Sequence, residues 1–543
     1  MKTKQIKGNI VDIVSERIFP GIITIMENKI SKIEECSEDF DSYIIPGFID
    51  AHVHVESSML TPVEFARTAI LHGTVAVVTD PHEIANVLGI AGVNFMIENG
   101  KISPMKFYFS APSCVPATPF ETSGAKLGIA ELDELLQRDE IKYLGEFMNY
   151  PGVIHDDEEV NAKLALAKKY HKKTDGHAPE LTGNELKKYA AAGISTDHEC
   201  LTSKEALEKI KLGMKILIRE GSACKDFDNL IEIAHKKWHD CMFCCDDLHP
   251  NDLLNGHINM IVKKALAAGL DIFKVLQMAT LNPVRHYGLE VGLLQEGDPA
   301  DFLIVDDLQN LNVINSYIDG QKIVEKGKPN LPESTTTHIN NFHTSIKSEM
   351  NFEIAEQDGK IKIIIAEDGN VATRSTSVKP LVRDGKVISD VDRDLLKIAV
   401  VNRYQDTPPA LGFIRGFGLK KGSIASSVAH DSHNIIVIGA DDESITKAVN
   451  KIIENKGGIC VVENGWTEIL PLPIAGIISD KTCTKVAKQY ETLEAKAKEL
   501  GCKLNAPFMT LSFMALLVIP ELKMSDKGLF DGTKFEFVDL WVN

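Results

Sequence analysis

The strongest constraint on the fold is a repeated alternation of apolar strand segments and helical segments between residues 46 and 289. Six segments have the composition of buried strands: 75–80, 107–110, 143–146, 194–198, 214–219 and 242–246. Helical segments such as 161–170 and 184–192 lie between them. This alternation is typical of parallel strands joined by crossover helices. We therefore predict an α/β fold with a (β/α)₈ TIM barrel at residues 46–289, in which a site would form at the C-terminal ends of the strands.

The segments on either side of this region have a different character. Residues 1–45 contain short β-type runs separated by turns, and a similar patch follows the barrel at 297–320. Neither patch is long enough to bury both faces of its strands alone. We therefore predict one small β-sandwich built from residues 1–45 and 290–330. Residues 340–543 combine strand runs with a Lys/Glu-rich amphipathic helix near 481–500, which predicts a separate α+β C-terminal domain.

Charge and apolar patterning exclude several classes of partner. The chain of 543 residues has 59 basic and 77 acidic residues, a net charge of −18 at pH 7, and no Lys/Arg block. A broad nucleic-acid surface or an anionic-membrane surface is therefore not expected. The first residues have no signal-peptide pattern, and no later run is long enough to cross a bilayer. We predict a cytoplasmic protein that acts on a small molecule and forms a homo-oligomer.

A pair of histidines marks the first strand of the predicted barrel. Residues 46–54 read Pro-Gly-Phe-Ile-Asp-Ala-His-Val-His, so His52 and His54 are two positions apart at the end of an apolar segment. Side chains at i and i+2 project from the same face of a strand. Because neutral imidazole is a favoured ligand for divalent metals, this strand predicts half of a metal site.

Further residues of the same chemical type follow other strand ends. One metal ion can be held by His52, His54 and Asp246, and a second by His177 and His198, with Glu146 between them. Two such ions can share a water and lower its pKa, which produces a hydroxide nucleophile. A carboxylate in contact with that water must accept its proton, and Asp246 is best placed to do so. His82 follows another strand and can polarise the attacked centre or orient the water. The pattern predicts a metal-dependent hydrolase.

Several segments resemble those of a known family. The sequence is similar to the amidohydrolase superfamily and, within it, to the adenine deaminase family over its whole length. The superfamily likeness rests on the His and Asp pattern. The narrower one rests on the contexts Glu-Ser-Ser, Asp-Pro-His-Glu and Glu-Phe-Met-Asn-Tyr-Pro-Gly, within segments 46–59, 80–87 and 145–153. Segments 175–179, 195–200, 219–222 and 246–250 also match.

The resemblance implies hydrolytic deamination of adenine to hypoxanthine and ammonia, a reaction of purine salvage. It implies two divalent metal ions, with manganese expected and iron or zinc as alternatives. Asp246, Glu146 and His82 would be the catalytic residues, with Glu146 acting both as a ligand and as a proton shuttle to a ring nitrogen. Three weaker candidates for contacts with the substrate are Glu56, Glu83 and Arg219.

Two other functions agree with the same residues. One is a different binuclear amidohydrolase that cleaves a small amide or an N-acetyl sugar, and the other is a non-catalytic scaffold of the same fold. The presence of all six ligand-type residues argues against the scaffold. In the C-terminal domain, His430-Asp-Ser-His433-Asn434 either binds a metal, covers the mouth of the barrel, or is a polar loop with internal hydrogen bonds.

Overall fold

A computed structural model describes residues 3–222, 224–331 and 335–542. The chain forms two compact units. The first contains Met1–His82, Asn94–Cys114 and Gly128–Thr335, and the second contains Glu83–Val93, Val115–Leu127 and Thr336–Asn543. Two short segments from within the predicted barrel range, 83–93 and 115–127, therefore group with the C-terminal part of the chain.

The described residues of the first unit form seventeen strands. In chain order they are β1 (Thr3–Asp12), β2 (Arg17–Met26), β3 (Lys29–Glu35), β4 (Tyr43–Pro46), β5 (Phe48–His54), β6 (Thr74–Thr79), β7 (Lys106–Ala111), β8 (Ile141–Phe147), β9 (Lys173–Gly176), β10 (Thr196–Asp197), β11 (Lys215–Arg219), β12 (Cys241–Cys244), β13 (Asp246–Asp247), β14 (Phe302–Val305), β15 (Val313–Ile318), β16 (Gln321–Glu325) and β17 (Lys328–Pro329).

Helices separate the successive strands from β5 to β12, and four more helices lie between β13 and β14. They are α1 (Pro62–Ala69), α2 (His82–Leu88), α3 (Ile90–Gly100), α4 (Ile129–Leu136), α5 (Tyr150–Ile154), α6 (Glu158–Lys169), α7 (Gly183–Ala191), α8 (Ser203–Lys211), α9 (Phe227–Lys237), α10 (Pro250–Asn255), α11 (Ile258–Ala267), α12 (Ile272–Leu276) and α13 (Asn282–Tyr287). Of these, α2 begins at the last residue of one segment of the first unit and continues into the second unit.

The N-terminal strands and the strands after the barrel belong to one sheet. Its order is β17-β16-β15-β14-β4-β1-β2-β3, and the two parts meet where β4 pairs with β14 on one side and with β1 on the other. One apolar cluster joins side chains from both parts, including Ile10, Ile44 and Phe302. The two parts thus bury a common core, as expected for strands that cannot bury both faces alone.

The barrel consists of eight parallel strand positions. Strands β13-β5-β6-β7-β8-β9 form one hydrogen-bonded series and β10-β11-β12 another, and a parallel bridge between Thr174 and Ile194 connects the two. The last position is divided into β12 and β13 around Cys245, and β13 pairs with β5 to close the barrel. The fold class predicted from the β–α alternation is confirmed. The fifth strand, β9, is short and was not among the six predicted segments.

The second unit has an α+β composition. Its strands are β18 (Ile354–Ala355), β19 (Lys360–Ile365), β20 (Arg374–Val378), β21 (Leu381–Arg383), β22 (Lys386–Ile388), β23 (Leu396–Val401), β24 (Ala410–Arg415), β25 (Ser423–Ser426), β26 (Ile435–Gly439), β27 (Gly458–Glu463), β28 (Trp466–Pro471), β29 (Leu522–Ser525), β30 (Gly528–Asp531), β31 (Glu536–Phe537) and β32 (Trp541–Val542). Its further helices are α14 (Asp442–Asn455), α15 (Cys483–Glu499) and α16 (Pro507–Phe513).

A nine-stranded sheet forms the centre of this unit. Eight strands follow the order β20-β19-β24-β23-β26-β25-β27-β28, and β32 pairs with β19. The apolar face of α14 packs on this sheet, where Val449 and Ile452 join a buried cluster with Val437 and Val462. Within the described ranges, neither unit contains a helix with the length and apolarity needed to span a membrane.

Candidate active site

His52 and His54 occupy the C-terminal end of β5, where both side chains are buried. Their Nε2 atoms lie 3.2 Å apart, so the two imidazoles converge on one point. The Nδ1 atom of His54 is 2.9 Å from the backbone oxygen of Asp80. Because a carbonyl oxygen only accepts hydrogen bonds, this contact places the proton on Nδ1 and directs the Nε2 lone pair into the site.

Asp246 approaches the same point from the divided last strand. Its Oδ1 atom lies 3.1 Å from His54 Nε2 and 3.6 Å from His52 Nε2. The backbone of Asp246 has a φ of 58°, in the left-handed region. Asp and Asn are among the few non-glycine residues that tolerate this region well. The interruption at Cys245 therefore ends one strand segment and directs a carboxylate inward.

Glu146 joins this group to a second pair of histidines. At the end of β8, its Oε1 atom lies 3.1 Å from His54 Nε2. Its Oε2 atom lies 2.7 Å from His177 Nδ1 and 3.2 Å from His198 Nε2. His177 follows β9 and His198 follows β10. The six predicted ligand residues thus converge on one cluster, and the two oxygens of Glu146 face different histidines.

The spacing of these donors fits divalent metal ions. Donors bound at about 2.0–2.2 Å to one ion lie roughly 3.0–3.4 Å from each other, depending on the coordination angle. The contacts of Glu146 and Asp246 with the imidazoles range from 2.7 to 3.6 Å. Several groups have ligand atoms that all lie within 4.8 Å of one another, and among them are His52, His54 and Asp246, and His52, Glu146 and His198.

Electrostatics also favours cations at this cluster. Burial raises the pKa of Glu146, but the surrounding imidazoles, His177 first, lower it well below the usual value. Burial lowers the pKa of His54, but Asp246 and Glu146 raise it well above the usual value. The buried carboxylates thus draw positive charge onto the imidazoles. Divalent ions would supply this charge in place of protons. His52 has its pKa lowered to about 3 by burial and by its histidine neighbours, which keeps it neutral.

His82 stands beside the same carboxylate. Its Nδ1 atom lies 3.4 Å from Glu146 Oε1 and 3.8 Å from Asp80 Oδ2. Its ring centre is 4.4 Å from that of His54. This position, at the start of α2, agrees with a role beside the cluster, because the ring lies within reach of a group held there.

Asp80 fixes the backbone that carries Glu146. Its Oδ2 atom accepts a hydrogen bond from the Glu146 amide at 2.9 Å, and its Oδ1 atom accepts one from Ser110 Oγ at 2.6 Å. Gly145 makes this close approach possible, since a Cβ atom there would lie 2.2 Å from Asp80 Oδ2.

Asp50 has a comparable role at the junction of the first and last strands. Its Oδ1 atom accepts hydrogen bonds from the amides of His52 at 3.2 Å and Cys245 at 3.1 Å. Its Oδ2 atom lies 2.9 Å from His257 Nε2. One carboxylate therefore holds the backbone immediately before Asp246 and the backbone of His52.

The three weaker substrate candidates lie in different settings. Glu56 is buried in the turn after β5. Arg219 is buried at the end of β11, and its guanidinium contacts carboxylates: Nε donates to Asp226 at 2.9 Å and Nη1 donates to Asp246 Oδ2 at 2.8 Å. These ion pairs agree with the alternative role for Arg219, in which it stabilises the scaffold of the site and does not bind the substrate.

Glu83 belongs to the second unit, where it lies between two histidines of the segment 430–434. Glu83 Oε1 is 2.5 Å from His430 Nδ1, and Oε2 contacts His433 Nε2. The Nδ1 atom of His433 accepts a hydrogen bond from the Ala429 amide. A neutral imidazole that accepts at Nδ1 carries its proton on Nε2 and donates it to Glu83. This arrangement disfavours the metal-binding interpretation of the segment, because His433 Nε2 carries a proton and so has no lone pair for a metal ion.

Glu199 was missed in the sequence. Its Oε1 atom lies 3.3 Å from His198 Nε2 and 3.7 Å from His177 Nδ1. Consecutive residues of a strand point to opposite faces, so alternation argues against two neighbouring ligand-type residues sharing one site. Here β10 ends at Asp197, and the chain turns so that both His198 and Glu199 face the cluster. The only signal in the sequence was its place directly after a strand-end histidine.

Known proteins resemble nearly the whole chain. Residues 43–323 match the amidohydrolase family, and residues 370–536 match the adenine deaminase C-terminal domain. The chain is 55% identical to the adenine deaminase of Sulfurovum sp. strain NBC37-1 over 537 residues, which is 98% of this chain and 99% of the relative. It is 50% identical to the adenine deaminase of Methanosarcina mazei over 553 residues, 99% of this chain and 100% of the relative. It is 48% identical to that of Borreliella burgdorferi over 543 residues, 98% of this chain and 99% of the relative.

The contact between Gly145 and Asp80 yields a first prediction. We expect Gly145→Ala to lower the free energy of unfolding by about 1–3 kcal/mol, because a buried carboxylate held by two hydrogen bonds must move. It should also weaken metal binding, since that carboxylate holds the Glu146 amide. Chemical denaturation and metal titration measure the two effects. Ser110→Ala is the control: it removes one hydrogen bond to Asp80, worth about 1 kcal/mol, without a clash. A Gly145→Ala protein with unchanged stability and metal affinity would contradict this account.

Proposed function

The chain belongs to the adenine deaminase family of the amidohydrolase superfamily, and on this basis we propose that it hydrolyses adenine to hypoxanthine and ammonia at two divalent metal ions. The observation that carries the proposal is the convergence of six ligand-type residues at the strand ends of the barrel. The adenine deaminases that match this chain do so over nearly their full length. The ligands we propose are His52, His54, Glu146, His177, His198 and Asp246.

The ions would supply one kind of chemistry when bound: they would lower the pKa of a bound water so that hydroxide is available near neutral pH. The chain itself supplies orientation and proton transfer. The C6–O bond forms as the double bond between C6 and the ring nitrogen opens and that nitrogen takes up a proton. The exocyclic C6–N bond then breaks, the ring C6 becomes a carbonyl, and the amino group leaves as ammonia. Asp246 accepts the proton of the attacking water and passes it to the departing nitrogen. We assign Glu146 a second role, as a proton shuttle to a ring nitrogen of the purine. His82 orients the attacking water or polarises C6.

The side chains around the cluster keep these groups in place. Asp80 and Asp50 hold the backbones of Glu146 and His52, and Arg219 contacts Asp246 Oδ2, so the Asp246 carboxylate has one oxygen anchored and one directed at the imidazoles. Fixed donors and acceptors lower the reorganisation needed during reaction. Glu56 and Glu83 remain proposed substrate contacts, and Arg219 has the weakest claim among the three because its guanidinium binds carboxylates.

We propose manganese as the ion in the cell, with iron or zinc as alternatives, because sites with His and carboxylate ligands accept several divalent ions. We also propose a cytoplasmic homo-oligomer that serves purine salvage by converting a free base. Amide or N-acetyl sugar hydrolysis and a non-catalytic scaffold lose support, because relatives matching over the full length are adenine deaminases.

The direct test of the function is product analysis with the manganese-loaded protein. We expect adenine to be converted into equal amounts of hypoxanthine and ammonia, measured by chromatography and by an ammonia assay. Small amides and N-acetyl sugars should release nothing under the same conditions. Turnover of an amide without any deamination of adenine would favour the other amidohydrolase chemistry, and no turnover of either class would favour the scaffold.

Metal dependence provides a second prediction. Removal of metal by a chelator should abolish deamination, and two equivalents of Mn²⁺ per chain should restore it, because the two ligand sets share only Glu146 between them. The titration of activity against added Mn²⁺ gives the stoichiometry. Full activity at one equivalent would contradict the two-ion centre.

A third prediction separates metal binding from proton transfer at Asp246. The Asp246→Asn protein should keep its metal, because the amide still offers an oxygen, and should lose about 10²- to 10⁴-fold in kcat, because the amide cannot accept the proton. Asp228→Asn, which changes an exposed carboxylate paired with Lys264, is the matched control and should retain activity. If the kcat of the Asp246→Asn protein stayed within a few-fold of the wild-type value, Asp246 would not be the proton acceptor, and Glu146 or His82 would be assigned this role instead.

A further inference from the structure

Glu199 is a charged residue of the barrel site that the ligand assignment above does not use. It lies two residues after the end of β10, and its side chain is 14% exposed. His177, His198 and Glu199 form a group whose ligand atoms all lie within 4.8 Å of one another. The distances of Glu199 Oε1 from the two imidazoles, 3.3 and 3.7 Å, are close to those expected of donors that share one ion, about 3.0–3.4 Å.

Arg219 fixes this carboxylate in its position. Its Nη2 atom donates to Glu199 Oε2 at 3.1 Å, and its Nη1 atom donates to Oε1. The same guanidinium donates to Asp226 through Nε and to Asp246 through Nη1. Because several partners hold the planar guanidinium of Arg219, its N–H groups stay in place. The Glu199 carboxylate would therefore lose its hydrogen bonds to Arg219 if it rotated. Glu199 Oε1 retains a second lone pair, and this is the atom that is close to His177 and His198.

Charge supports the same conclusion. The guanidinium of Arg219 donates to both oxygens of Glu199, so this positive charge stabilises the group as a carboxylate anion. Arg219 is balanced by Asp226, with which it pairs directly. Glu146, Asp246 and Glu199 then carry three negative charges against the four positive charges of two divalent ions. Without Glu199, the ion beside His177 and His198 would have only a shared carboxylate as an anionic ligand.

We propose that Glu199 is an additional ligand of the ion held by His177 and His198, and that Arg219 is its positioning residue. This inference rests on the two-ion centre of the proposed function. It makes the ligand sets of the two ions comparable: each has two histidines and one carboxylate of its own, Asp246 or Glu199, and both share Glu146. Arg219 contacts both of these carboxylates and so connects the two sets.

The test is metal binding by the full-length protein. The Glu199→Gln protein should bind one Mn²⁺ per chain like the wild type and the second at least ~10-fold more weakly, measured by calorimetric titration of the metal-free protein and by metal analysis after dialysis. The His177→Asn protein is the reference for loss of this ion. The double variant should bind no more weakly than His177→Asn alone, because both changes remove ligands of the same ion.

Asp226→Asn is the matched control, because it removes a different carboxylate partner of Arg219 and leaves Glu199 in place. It should bind both ions within about 3-fold of the wild type. Unchanged binding in Glu199→Gln, or equal losses in Glu199→Gln and Asp226→Asn, would overturn the proposal.

If Glu199→Gln does not fold, the Glu199→Asp protein is the substitute, because it keeps the charge but retracts the carboxylate. It should lose the same ion, and wild-type metal binding by Glu199→Asp would also overturn the proposal. Metal binding needs no adenine, so failure of the deaminase proposal would be seen separately, as a wild-type protein that binds metal without deaminating adenine.

Discussion

The site depends on one carboxylate that faces two groups of imidazoles. The two oxygens of Glu146 lie 3.1 Å from His54 on one side and 2.7 and 3.2 Å from His177 and His198 on the other. Its position brings residues from strands far apart in the sequence into one cluster. A buried carboxylate among histidines is stable only if the positive charge around it is sufficient, which in this protein means protons or metal ions. The chemistry that we propose uses the second possibility.

The barrel positions this carboxylate through small, specific contacts. Gly145 leaves room for Asp80 to accept a hydrogen bond from the Glu146 amide. Asp50 accepts hydrogen bonds from the amides of His52 and of Cys245, which precedes Asp246. The contacts of Asp80 with Glu146 and of Asp50 with Cys245 join different strands of the barrel, so the closure of the barrel and the geometry of the cluster depend on each other. Residues such as Asp80 and Asp50, which hold metal ligands in place without binding the metal, commonly change metal affinity by about 10- to 100-fold when they are substituted.

The sequence was informative where local patterns carry the signal. The β–α alternation predicted the barrel, because parallel strands need crossover helices. The His-x-His pair at residues 52 and 54 predicted the location of the cluster, because side chains two positions apart on a strand share one face. The short strand β9 was not recognised, since four residues give little periodicity. Glu199 and the role of Arg219 depend on turns after β10 and on side chains that meet from different strands. The grouping of 83–93 and 115–127 with the second unit depends likewise on contacts between residues far apart in sequence, which no local pattern reports.

The central claim is that Glu146 is shared by two metal ions, and anomalous diffraction from crystals grown with Mn²⁺ tests it most directly. The account predicts two anomalous peaks about 3.5–4 Å apart. One should lie among His52, His54 and Asp246 and the other beside His177 and His198, with one oxygen of Glu146 bound to each. A single peak at full manganese loading, or two peaks with Glu146 bound to only one of them, would contradict it.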